Sequence, residues 1–170
     1  MPYATPQQVI QNYGLKEITQ LLTDEQGLLT EQLLTDAIAG VWTGAPSAEE
    51  QAAAEEALAR FMRKIETVSN FMDTYLQRAV TLPLSADDAN MGTLNECCMV
   101  LVRCGLSDDP DNATDRMDER CDQKRAWLKD VAKGTAQLVK PDGETMPTKS
   151  RMRSGQAFSR YNWPGHGGTQ

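Results

Sequence analysis

The sequence predicts an all-α protein: a bundle of four to five helices with one long central helix and an extended C-terminal arm. Three observations carry this. The chain is rich in Ala, Leu, Glu, Gln, Arg and Met, with only 6% aromatic residues, which is helix-forming material. Apolar residues recur at spacings of three and four along most of its length, the period of a helix buried on one face. From Lys140 onward there are five glycines, three prolines and no such period.

The elements follow in order. Thr5–Pro6–Gln7–Gln8 reads as a helix start, with Thr5 as N-cap, Pro6 at the first helical position and Gln8 closing a capping box. Val9, Ile10, Tyr13, Ile18, Leu21 and Leu22 form the apolar face, and Gly14 divides it into two short helices. After a turn at 23–27, Thr30 caps a second amphipathic segment. Its expected apolar face is Leu33, Leu34, Ala37, Ile38 and Val41, and it ends near Trp42 before the breaker residues 43–47.

The long helix is predicted from about Ser47 to Val80. Leu58, Met62, Ile65, Ser69, Met72, Leu76 and Ala79 alternate spacings of four and three, flanked by Phe61, Val68 and Tyr75. Its first turns, Glu49 to Glu56, are nearly all Ala, Glu and Gln and are expected to project into solvent. Leu82–Pro83–Leu84 closes it, because proline disfavours helical geometry in the residue before it. Thr93–Leu94–Asn95–Glu96 reads as another capping box, and Leu94 to Leu106 is apolar nearly all round, which predicts a central buried helix. The last helix is expected over roughly Asn112 to Lys133. It sets Met117, Cys121, Lys124, Leu128 and Val131 on one stripe, with Trp127 beside it and Gly134 as C-terminal cap. The chain therefore divides into a helical domain, 1–139, and an arm, 140–170, that folds only on a partner.

Composition excludes several function classes. The single histidine, His166, leaves no HExxH site, multi-histidine metal site or Cys2His2 finger. It also lies between glycines near the C-terminus, a poor place to hold the base of a Ser–His–Asp triad. There is no GxxxxGK[ST] loop and no GxGxxG. No catalytic residue, metal site or cofactor is expected, and the chain reads as a non-enzyme. With no run of about 20 apolar residues and no signal peptide, it is expected to be soluble, made in a cytoplasm and without a membrane partner.

The net charge of −7 is unevenly placed. Residues 140–170 hold five Lys/Arg against Asp142 and Glu144, or +3, which leaves residues 1–139 at −10. An acidic body repels a nucleic-acid backbone, whereas a basic arm suits nucleic acid or an acidic protein surface. Within the arm, Arg151, Arg153, Phe158, Arg160, Tyr161 and Trp163 are of the types enriched in interface hot spots. Docking on protein is the preferred reading, ahead of single-stranded nucleic acid and of a solubilising end. Cys97, Cys98, Cys104 and Cys121 lie inside predicted helices, two of them adjacent, and are expected to pack in the core as free thiols. Asp108, Asp109, Asp111, Asp115, Asp118 and Glu119 lack calcium-loop spacing and read as favourable charge at a helix start.

Three stretches add a resemblance. The chain opens Tyr3–Ala4–Thr5–Pro6–Gln7–Gln8–Val9–Ile10 and continues through Tyr13–Gly14 and Leu21–Leu22–Thr23–Asp24. The long helix closes with Tyr75–Leu76–Gln77–Arg78–Ala79–Val80–Thr81–Leu82–Pro83–Leu84, and the last with Trp127–Leu128–Lys129–Asp130–Val131–Ala132–Lys133–Gly134. Read in this order they resemble a family of small proteins from the head-gene cluster of Mu-like phages and prophages. Members typically open YAT/S-x-x-x-L/V-I, carry I-x-x-Y-L-x-x-R-Y-x-L-P-L and end W-L-x-x-I-A-x-G. The resemblance covers roughly residues 3–139, and the stretch ending in Leu82–Pro83–Leu84 is its specific part. The family's tyrosine has no counterpart where Ala79 and Val80 stand, residues 30–57 look like an insertion, and 140–170 lie beyond the typical end.

The resemblance implies a helical head–tail connector, or adaptor. Such proteins form a ring beneath the portal, usually matching its twelve-fold symmetry, and join the DNA-filled capsid to the tail. The implied partners are further copies of the chain, the portal protein and the next neck or tail protein, with DNA passing through unbound. The implied place is the virion neck, after assembly in the host cytoplasm. Its motif residues here are Tyr75, Leu76, Arg78, Leu82, Pro83, Leu84, Trp127 and Leu128. An acidic body suits such a conduit, whose wall should let phosphate slide past. A head-completion or tail-terminator role in the same neck is the neighbouring alternative. A cytoplasmic helical regulator binding nucleic acid through its arm is the rival from another class.

Overall fold

The computed structural model describes residues 2–23, 27–107 and 115–139. Within them six helices form and no strand: α1 (Pro6–Tyr13), α2 (Leu15–Leu22), α3 (Glu31–Ala39), α4 (Ala48–Leu76), α5 (Met91–Leu106) and α6 (Asp115–Lys133). The all-α class is as the sequence predicts, with α1 and α2 as separate short helices beside the larger ones. The arm, the turn at 24–26 and the acidic loop at 108–114 lie outside the described residues.

Local chemistry places the starts. The α1 capping box forms as expected: Thr5 Oγ1 accepts from the Gln8 amide at 3.3 Å, and Gln8 Oε1 accepts from the Thr5 amide at 2.9 Å. Gly14, at φ +93, ends α1 and starts α2 in one residue, a backbone conformation that side chains resist. Ser47 and Glu50 form a second box at the start of α4. The predicted box at Thr93–Glu96 does not form. Helix α5 begins earlier, at Met91, and Glu96 instead accepts from Lys124 at 2.8 Å.

Helix α4 is the spine, with α3, α5 and α6 packed along it. Its buried face is Ala54, Ala57, Phe61, Ile65, Val68, Ser69, Met72 and Leu76. This corrects the expected stripe: Phe61 is fully buried and Met62 is 56% exposed. The first turns, Glu49 to Glu56, are exposed or partly exposed as expected except at Ala54, which is buried together with Ala57 on the helix that α3 packs against. Small side chains there let two backbones approach, a signal that reads as weak hydrophobicity when the partner helix is unknown. Residues 30–57 are thus integral to the core through Leu33, Leu34, Ala54 and Ala57.

Helix α3 stops at Ala39, with Gly40 at φ +71, short of the expected Trp42. Asp36 causes the turn. Its carboxylate, buried at 4% exposure, accepts from the Thr43 amide at 2.7 Å, the Thr43 hydroxyl at 3.0 Å and Gln32 Nε2 at 2.7 Å. The chain folds back to reach it, so Val41 faces solvent at 66% exposure while Trp42 packs against the core. Helix α5 is central as predicted, with Leu94 and every residue from Cys97 to Val102 buried. Met117, Cys121, Leu128 and Val131 of α6 close the other side.

One expectation about the cysteines is overturned. Cys97 and Cys98 are free and buried, but Cys104 and Cys121 form a disulfide across α5 and α6, with Cα atoms 6.3 Å apart. Membership of two predicted helices could not reveal that the two residues face each other; only the packing of α5 on α6 does.

Candidate functional site

The two ends of the helical domain meet at one end of the bundle. Tyr3 lies against the C-terminal part of α4, held at three points. Its amide donates to Ser69 Oγ at 3.1 Å, its carbonyl accepts from Asn95 Nδ2 at 2.8 Å, and its hydroxyl donates to Asp73 Oδ1 at 2.5 Å. Burial, then the hydrogen bond and negative charge of Asp73, push the phenol well above its ordinary pKa, so it stays protonated. The Ser69 hydroxyl donates its own hydrogen bond to the Ile65 carbonyl at 2.8 Å, which leaves its oxygen lone pairs to accept from Tyr3.

Beyond α4 the chain turns at 77–79 and passes through Leu82–Pro83–Leu84, with a cis peptide bond before Pro83. Tyr3, Asp73, Leu82, Pro83, Leu84 and Met91 line a cleft of ≈ 280 Å³. Its walls are apolar apart from the Tyr3–Asp73 pair. The opening stretch at Tyr3 and the motif stretch 75–84, some seventy positions apart in the chain, thereby build one surface feature.

Asn90, beside Met91, fixes a third strand of chain here. Its Nδ2 donates to the Val139 carbonyl at 2.7 Å and its Oδ1 accepts from the Val139 amide at 2.8 Å. The side-chain amide thus pairs with the backbone as a neighbouring peptide would. Asp88 Oδ1 accepts from both the Asn90 amide and Nδ2, at 2.8 Å each, and orients the group. The last helix reaches this point through Gly134 at φ +77 and the buried Leu138. The arm therefore leaves the domain beside the cleft.

The sequence-selected residues divide between lining and support. Leu82, Pro83 and Leu84 line the cleft. Leu76 is fully buried beneath it, Tyr75 is half-buried with its ring 5.1 Å edge-on from Phe71, and Arg78 is exposed. Leu128 is fully buried and Trp127 packs against the same core, so both are structural rather than surface-forming. Arg151, Arg153, Phe158, Arg160, Tyr161 and Trp163 lie outside the described residues. Sequence reasoning missed Asp73, Asn90, Met91 and Asn95. Asp73 and Asn95 sit at polar positions of helices and look solvated until Tyr3 is placed on them.

A second tie holds the short helices to α5. Arg103 donates to Glu17 at 2.5 Å and lies 4.9 Å over the Tyr13 ring. Of the predicted acidic group, Asp115, Asp118 and Glu119 are exposed and the remainder lies outside the described residues. No helix among the described residues is long and apolar enough to cross a membrane.

Fold and cleft define a small all-α domain whose termini converge on one solvent-facing surface. The chain belongs to the family described as Bacteriophage Mu, Gp36, which matches residues 3–156. It is accordingly a phage structural or morphogenesis protein. The match runs past residue 139 and takes in the first part of the arm with Arg151 and Arg153, further than the resemblance alone implied. No curated protein and no solved structure matches the chain.

Proposed function

We propose that the protein is a head–tail connector: a ring component between portal and tail, binding the portal protein on one side and a neck or tail protein on the other. The observation that carries this reading is the cleft. Two family stretches from distant parts of the chain build one cleft, of mixed polar and apolar lining, beside the root of a basic, aromatic arm. A surface of that kind suits docking of protein segments. Its one polar pair, a protonated phenol donating to a carboxylate, is fully satisfied within the domain and offers no activated nucleophile. We therefore read the protein as a non-enzyme that needs no cofactor or metal.

The charge distribution supports the same reading. A body of −10 lets DNA slide past without binding, and an arm of +3 is drawn to acidic neighbours. A closed ring of about twelve copies, matching a portal, satisfies this with one repeated contact.

Capture by the portal protein tests the proposal. The intact chain should bind portal at low and at high salt, because an aromatic-anchored contact is little screened, and a 1–139 truncation should bind more weakly. DNA binding that falls steeply between about 50 and 200 mM salt, with no portal capture, would favour the regulator reading instead.

A further inference from the structure

We infer that Cys104 and Cys121 work as a redox-operated staple: they stand as two thiols while surrounded by small thiols, and exchange with a small disulfide closes the bond and fixes the first half of α6 on α5. The inference goes beyond the connector reading and does not depend on it, since it concerns the chain with or without a portal. It rests on the cysteine pair across α5 and α6, on the packing around it and on the phage family to which the chain belongs. Phage proteins are made inside a host cell, where cysteines are kept reduced, whereas a released particle meets an oxidising medium.

Packing shows what the bond controls. The buried residues of α6 are Met117, Cys121, Leu128 and Val131, two in each half of the helix. The second half continues into the buried Leu138 and into Asn90, which holds Val139 by two hydrogen bonds. The first half lacks such support. Apart from Met117 and Cys121, every residue from Asp115 to Gln123 is exposed. The ion pair of Lys124 with Glu96 at 2.8 Å lies at the surface, where such pairs contribute little, and Ser107 Oγ donates only weakly to Met117 Sδ at 3.7 Å. A helix in a folded protein owes most of its stability to the face it buries. With the bond open, residues 115–124 therefore depend on Met117 and one thiol. The receiving end of α5 is firmer: Arg103, next to Cys104, donates to Glu17 and lies over the Tyr13 ring. Closing the bond ties a lightly held half-helix to a firmly held end.

Exposure assigns the two sulfurs their order. Cys104 is partly exposed, and Cys121 is buried at 2% exposure. The Cys104 thiolate attacks one sulfur of a small disulfide such as glutathione disulfide, forms a mixed disulfide and releases one small thiolate. The Cys121 thiolate then attacks the Cys104 sulfur, closes the bond and releases the second. The two protons lost from the protein end on the two small thiols, and the small disulfide takes up the two electrons. An excess of small thiols reverses both steps, again through Cys104. Cys97 and Cys98 stay outside this chemistry: both are fully buried, and burial pushes their thiols up to about 12 and about 11. Helix α6 is thus adjustable while the chain is being assembled in a cell and fixed once it has left.

Glutathione buffers and amide hydrogen exchange on the full chain test this. In the large excess of reduced glutathione typical of a cytoplasm the chain should hold four thiols, and in an excess of glutathione disulfide two. The amides of residues 115–124 should exchange about a hundredfold faster in the four-thiol form, the size of effect expected for a bond between cysteines 17 residues apart. Those of residues 128–133 should change little. Cys104→Ser should make exchange at 115–124 equally fast in both buffers. Cys121→Ala, with circular dichroism confirming the helices, should trap a glutathione adduct on Cys104, whereas Cys104→Ser should carry none on Cys121. A bond that stays closed in the reducing buffer, or never closes in the oxidising one, would overturn the inference. So would exchange at 115–124 that ignores the state of the bond or that quickens equally along all of α6. An adduct on Cys121 instead of Cys104 would overturn the assigned order. Portal capture is read separately, so failure of either proposal leaves the other standing.

Discussion

At the residue scale Tyr3 shows how a terminal side chain becomes structural. Its ring is buried, yet each of its three polar groups has a partner. Removing the hydroxyl leaves the half-buried Asp73 without its donor. Tyr3→Phe should therefore cost about 1–2 kcal/mol in urea unfolding at neutral pH. The same group predicts an alkaline response. The folded pKa of Tyr3 lies above its ordinary value of 10.0, so its contribution is complete below that pH and is lost as pH rises further. Cys97 and Cys98, pushed by burial to about 12 and about 11, act in the same direction from their ordinary value of 9.0. Stability should fall from about pH 9 up to about pH 12, and Tyr3→Phe should fall less steeply over the upper part of that range. An unchanged slope in the variant would show that Tyr3 does not carry the effect. Asp36 works in reverse: the Thr43 amide above all holds its carboxyl below the usual value, so its contribution is lost as pH falls through the acid range.

At the element scale, close approach and anchoring matter most. Where α5 passes α4, a Cβ at Gly105 would meet Lys64 Cδ at 2.9 Å. Lysine is flexible and can yield, whereas glycine inside a helix is unfavourable by roughly 0.5–1 kcal/mol relative to alanine. Gly105→Ala should therefore raise the melting temperature slightly; a drop would mean that Lys64 is pinned. Asn90 is the opposite case. Asn90→Ala removes both bonds to the exposed Val139, at about 0.5–1.5 kcal/mol. Residues 134–139 should then exchange their amides and accept protease cuts faster than in the parent protein. Equal protection would show that Asn90 does not anchor the segment. Sequence could not offer Asn90 as an anchor, because it sits in a run of turn residues whose polar side chains ordinarily face water.

At the scale of the whole molecule, the Tyr3 contacts join parts distant in the chain, and the Cys104–Cys121 disulfide ties α5 to α6. Thiol counting tests the second. Denatured without reductant, the chain should expose two reactive thiols, Cys97 and Cys98, and after reduction all four. Four thiols without reductant would return Cys104 and Cys121 to the core-thiol reading. The native protein should react slowly at Cys97 and Cys98, which are fully buried.

Much of this protein is legible in its sequence because the signals are local. A capping box needs four consecutive residues, and the one at Thr5 forms as read, as does the break at Gly14. The buried faces of α5 and α6 are as expected because a helix turns by a fixed angle per residue, so apolar spacing alone assigns them. What failed depended on a partner. The face of α4 shifted to Phe61 and Ala57 because α3 and α5 decide which side is covered, and Asp36 ended α3 by reaching Thr43 across a turn. The cleft is the furthest case. Tyr3 and Leu82–Pro83–Leu84 each stand out in the sequence, but only tertiary packing brings them to one surface beside Val139. Helical period and caps are set by neighbours in the chain; a docking surface is set by neighbours in space.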